Sequence, residues 1–106
     1  MGGYHTPGRG FLMTSYDVLD RARDLAQAYL QGVGTRHVGG TATPASLAAA
    51  LGGPLPEQSH DPVVVIQQLA RDADPGIAAT VGPRYFGFVT GGAVPVAVAA
   101  EWLASA

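Results

Sequence analysis

Lysine is missing from this 106-residue chain: its 6 basic residues are all arginine, at Arg9, Arg21, Arg23, Arg36, Arg71 and Arg84. Apart from the N-terminus, the chain therefore has no amine with which to form a Schiff base with a carbonyl. Cysteine is missing too. That excludes a disulfide framework, a thiol nucleophile and a thiolate-held zinc. Positive charge is sparse and scattered, and the formal net charge is −2. Such a distribution offers no basic stripe to neutralise nucleic-acid phosphates. Long apolar runs are also lacking. The alanine-rich C-terminal stretch is the longest, and it falls well short of the roughly 20 residues that span a bilayer. The first residues hold no apolar core of signal-peptide length. These absences predict a cytoplasmic chain with neither nucleic acid nor membrane as partner.

What is present is 47% apolar, but much of that is alanine, and aromatics make up only 8%. Alanine removes little area from water, so helices built on it gain little by packing together. A chain of this length allows one modest domain at most. The expectation is a marginal fold alone, or one completed by a partner surface.

The pattern along the chain is helical. Residues 1–14, glycine-rich and without period, read as a flexible arm. Residues 15–31 predict the clearest helix, capped by Thr14 or Ser15, with Asp17 in its first turn and Gly32 at its end. Val18, Leu19, Ala22, Leu25, Ala26, Tyr29 and Leu30 follow the spacing of one apolar stripe, with Asp20, Arg21, Arg23, Asp24 and Gln27 facing away. Thr43-Pro44 and Asp61-Pro62 each place a cap before a proline at the first helical position. They predict helices ending at Gly52-Gly53 and near Ala73, with Ala45, Leu47, Ala48 and Leu51 on one apolar face and Val63, Ile66, Leu69, Ala70 and Ala73 on the other. Asp74-Pro75-Gly76 reads as a turn. Ile77 to Val81 is ambiguous between an extended piece and a helical turn. The run Pro83-Arg84-Tyr85-Phe86-Gly87-Phe88-Val89-Thr90-Gly91-Gly92-Ala93 reads as extended, and a last helix is predicted from about Pro95 to Ser105. The fold class is mainly α: three or four helices with one short extended segment, residues 15–106 forming a single incomplete domain.

The aromatic–glycine run is the main candidate for chemistry. Tyr85, Phe86 and Phe88 offer flat apolar surface, Thr90 offers a hydroxyl, and Gly91 and Gly92 let backbone approach closely. The same residues equally fit a buried strand with a glycine turn. Arg84 could meet a carboxylate or stack on Tyr85. Arg36 beside His37 could bind an anion. His5, His37 and His60 lie on separate segments without the pairing of a helical metal site, so no metal is expected. Ser59-His60-Asp61 holds the residue types of a triad, but adjacent residues cannot form its relay.

The order of these landmarks resembles the N-terminal segment of the group II pyridoxal-phosphate-dependent amino-acid decarboxylases, the family of the aromatic-amino-acid and diaminobutyrate decarboxylases. The landmarks are Arg36-His37-Val38, Thr43-Pro44, Leu55-Pro56-Glu57, Asp61-Pro62, Asp74-Pro75-Gly76, Pro83 to Ala93, and the helix from Pro95. They cover most of this chain and a minor part of a full family member. The resemblance implies a helical N-terminal appendage of a fold-type I enzyme, α/β in its full length, that wraps over the second subunit of a homodimer. It implies that Phe88, Val89, Thr90 and Gly91 line the entrance for a small amino-acid substrate. It also implies that the lysine, the other cofactor-holding groups and pyridoxal phosphate itself belong to the remainder of the enzyme, so that this chain alone has no catalytic residue, binds no cofactor and is inactive. Val89, Thr90 and Gly91 depart from the best-known members, which leaves aromatic substrates open. Two other readings fit the residues: a stand-alone helical interaction module, such as a truncated gene product, and a small ligand-binding domain using the Tyr85–Gly92 surface.

Overall fold

The structure is a computed structural model and describes residues 16–106. The expected arm over 1–14 and the expected caps Thr14 and Ser15 lie outside the described residues. Four α-helices follow in order: α1 (Tyr16–Gly32), α2 (Pro44–Leu51), α3 (Pro62–Ala73) and α4 (Pro95–Ser105), with a 3-10 turn at Asp74–Gly76. The described part is mainly α and contains no strand.

Local chemistry sets these boundaries. At α2 the Thr43 hydroxyl accepts from the Ser46 N–H at 3.0 Å, and the Thr43 N–H donates to the Ser46 hydroxyl at 3.1 Å. This is a capping box with serine in the place usually taken by Glu or Gln, and it satisfies two donors that the helix end would leave orphaned. Asp61 caps α3 by accepting from the Val63 N–H at 3.0 Å. Pro44, Pro62 and Pro95 occupy the first helical positions, where a missing N–H costs nothing. At α4 the N-cap is Val94, which makes no side-chain bond. Thr43→Ala is therefore expected to cost about 1 kcal/mol, read as a loss of far-UV helical signal at a fixed urea concentration. Val94→Ala, having no cap to lose, leaves that signal unchanged.

Packing is thin. α1 and α2 each pack on α3. Ala79 is the only buried apolar residue among those described, and no large side chain is fully buried. The radius of gyration is 16.8 Å, against about 13 Å for a compact domain of roughly this length. The apolar stripes split accordingly. On α1, Val18, Ala22, Leu25, Ala26, Tyr29 and Leu30 are half-buried, but Leu19 is 61% exposed. At about 100° per residue, Leu19, Ala26 and Leu30 form a second row beside the one centred on Val18, Ala22, Leu25 and Tyr29. Arg21, expected to face away, is half-buried. On α3, Val63, Ile66, Ala70 and Ala73 turn inward as expected, while Leu69 stays outside with Val64 and Val65. Only Leu47 of the α2 face is half-buried; Ala45, Ala48 and Leu51 are exposed.

Backbone bonds join the connections. The Thr41 and Ala42 N–H groups both donate to the Pro75 carbonyl, at 2.7 and 3.0 Å, and the Ala79 N–H donates to the Val38 carbonyl at 2.7 Å. The connection between α1 and α2 is thereby laid along the chain that leaves α3. Close approach is needed here: a Cβ on Gly40 would stand 3.0 Å from the Gly76 carbonyl oxygen. This seam fixes Ile77 to Ala79 outside any helix and leads directly into the aromatic run.

Candidate functional site

Arg36 is the hub that holds the site's base. Its guanidinium donates to the Asp74 carboxylate at 2.9 Å and to the Asp74 carbonyl at 3.1 Å. It also lies over the Tyr29 ring, 4.9 Å from the centroid. One side chain thus links the end of α1, the first connection and the end of α3. The Arg36 Nε is buried without a hydrogen-bond partner, and the π face of Tyr29 is the favourable contact that guanidinium has in its place. An anion site at Arg36-His37 is not what the structure forms. Arg36 is committed to Asp74, and the His37 Nδ1 lies 2.7 Å from the Gly39 carbonyl.

Arg84 is committed as well. It donates to the Gly34 carbonyl at 3.3 Å and to the Arg36 carbonyl. It therefore fastens the start of the aromatic run to the hub instead of stacking on Tyr85 or waiting for a carboxylate. The physical reason is local: the turn after α1 leaves unpaired carbonyls, and a five-donor guanidinium satisfies two of them.

Beyond Arg84 the run is not uniformly extended. Gly82 to Tyr85 is a turn, closed by a Tyr85 N–H to Gly82 carbonyl bond at 3.3 Å. Gly87 to Thr90 is a second, closed by the Thr90 N–H on the Gly87 carbonyl at 3.4 Å. Glycines at both turn starts permit this, and Tyr85 folds back over the second: a Cβ on Gly87 would meet the Tyr85 hydroxyl at 2.7 Å. At the centre of the second turn Phe88 and Val89 have φ of +55° and +52°. Left-handed φ at both central positions belongs to the mirror-image type I′ turn, which favours Asn-Gly. For L-residues it costs about 1–2 kcal/mol each, and a β-branched valine is an outlier there.

The turn carries the candidate residues outward. Phe86 and Phe88 are each 91% exposed and Val89 fully so. The Thr90 hydroxyl lies 3.4 Å from both the Thr80 and Gly87 carbonyls. Gly91 has open space around its Cα. The four expected positions, Phe88 to Gly91, thus sit together on one protruding loop, with Phe86 as an apolar neighbour. Two grooves lie elsewhere. One, of about 820 Å³, runs between α1 and α3 past Tyr29, Arg36, Gln67 and Arg71. The other, of about 450 Å³, lies between Leu19 and Ala26 of α1 and Trp102 of α4.

Chemically, the loop can offer apolar contact and one hydroxyl. It offers no amine to form a Schiff base with a carbonyl cofactor. The chain has no lysine, and the arginine nearest the loop in sequence, Arg84, is spent on backbone carbonyls. No group of three or more His, Cys, Asp or Glu side chains gathers for a metal among the described residues. No described helix is long and apolar enough to cross a membrane. No family model, no curated protein and no solved structure matches this chain.

Proposed function

We propose that this chain is the N-terminal segment of a pyridoxal-phosphate-dependent amino-acid decarboxylase. In that role it supplies contacts between the subunits of a homodimer and part of the wall through which a small amino-acid substrate enters. The observation that carries the reading is the missing core. With one alanine fully buried among the described residues, burial offsets little of the conformational entropy of ordering this much chain, and the exposed faces of α1, α3 and α4 suit another surface. The order of the sequence landmarks supports the identity of that surface, the body of the enzyme and its second subunit.

The residues of this chain then have positioning tasks only. Phe88 and Val89 present apolar surface that excludes water beside the substrate side chain. The Thr90 hydroxyl is a donor that can turn from the Thr80 carbonyl towards a substrate carboxylate. Pyridoxal phosphate supplies the decarboxylation chemistry from the remainder of the enzyme, and no step of it is assigned to this chain. In the full enzyme, Phe88→Ala is expected to raise KM for the amino acid about tenfold while kcat holds, since burying a phenyl ring contributes about 1.5–3 kcal/mol. Steady-state kinetics on the purified dimer reads this.

The exposed faces also suit a stand-alone interaction module, and one experiment separates the two. Reading the coding frame beyond the Ala106 codon is expected to show an open frame encoding a lysine-bearing domain of enzyme size. A stop codon directly after Ala106 would remove the decarboxylase reading and leave the module.

A further inference from the structure

We infer that the Gly87–Thr90 turn is a two-position strap. In the position seen here, Phe88 and Val89 protrude on left-handed backbone. In the other, residues 86–90 run extended, so that Phe86, Phe88 and Thr90 share one face and Val89 takes the opposite one. The inference stands on the backbone of this chain and does not need the decarboxylase reading. Only its consequence, an entrance wall that changes shape, rests on that reading.

Three observations carry it. First, both central residues have positive φ, and neither is of a type that adopts it readily. Second, what opposes the strain is weak. The closing Thr90 N–H to Gly87 bond and both contacts of the Thr90 hydroxyl are each 3.4 Å long, at the outer edge of useful hydrogen-bond geometry. Third, no burial holds the turn, because Phe86, Phe88 and Val89 are almost wholly exposed. Strain persists when surroundings over-determine it. Here they do not, so the turn is free to leave the left-handed position. The hinges are in place: Gly87 opens the turn, and Gly91 follows it in open space.

Moving from one position to the other breaks the Thr90 contacts with Thr80 and Gly87. It frees the hydroxyl to donate elsewhere and brings it onto the face that Phe86 and Phe88 share. A ligand or protein surface that contacts this face favours the extended position by its differential affinity for it.

The test is NMR on the whole 106-residue chain, following the amide of Val81, which shares a peptide unit with the Thr80 carbonyl and lies away from the substituted residues. F88N/V89G installs the pair that type I′ turns prefer and holds the left-handed position. V89P fixes φ near −65° and biases the preceding residue to extended backbone, which excludes that position. Circular dichroism confirms that all chains keep the same helix content. The wild-type Val81 amide is expected to resonate between the two variants, and Val89→Gly alone to move it towards the F88N/V89G value. Where V89P does not keep its helices, the Val89→Gly shift decides by itself. A wild-type signal coincident with either held variant, or one that Val89→Gly leaves in place, would overturn the inference.

Discussion

Replacing Arg36 with alanine is expected to unfasten the first connection from the end of α3 and to remove about 2 kcal/mol of stability. The substitution removes three contacts. The ion pair with Asp74 is half open to water on the carboxylate side, so alone it contributes about 1 kcal/mol or less. The charge-assisted bond to the Asp74 carbonyl and the contact with the Tyr29 ring supply the remainder. Asp74→Ala removes only the first and is expected to cost less than half as much. With a single alanine fully buried among the described residues, the larger loss is a large share of what holds the chain folded. Thermal melts followed by circular dichroism compare the two. Equal losses would mean that the carboxylate, not the carbonyl and the ring, holds the hub.

Gly40→Ala has the second large expected effect. The new methyl would meet three backbone atoms of Gly76 between 3.0 and 3.3 Å. Side chains can swing away from such a contact, but this backbone is pinned by the Thr41 and Ala42 bonds to Pro75. Relief requires the seam to open, at about 1–3 kcal/mol. Gly91→Ala, placed in open space, is expected to change stability by no more than about 0.5 kcal/mol. Urea titration of both variants gives the comparison, and a neutral Gly40→Ala would show that the two connections yield freely.

The elements whose limits depend on neighbouring residues were legible in the sequence. Pro62 after Asp61 starts α3, and Pro95 starts α4, because cap and proline act within one turn of chain. The helical period identified most of the half-buried positions on α1 and α3. It misplaced Leu19 and Leu69, because a period says which residues share a side but not how wide a partner covers it. The hub was not legible. Arg36 and Asp74 are 38 positions apart, and nothing in either neighbourhood marks the other. Arg84 was read beside its aromatic neighbours, when the carbonyls it satisfies lie 48 and 50 positions earlier. The left-handed turn ran against local preference, since Phe and Val favour extended backbone. The sequence marked Gly91 and Gly92 as points of close backbone approach, but not the turns that begin at Gly82 and Gly87.

That a single alanine is fully buried among the described residues has a calorimetric consequence. The heat-capacity increase on unfolding follows the apolar surface newly given to water. Among the described residues many large apolar side chains are already exposed, so melting the isolated polypeptide is expected to show an increment below the ~12–15 cal/mol/K per residue of ordinary globular domains. On the proposed reading, covering the faces bearing Leu19, Val65, Leu69, Val96 and Leu103 is expected to give a negative heat-capacity change on association.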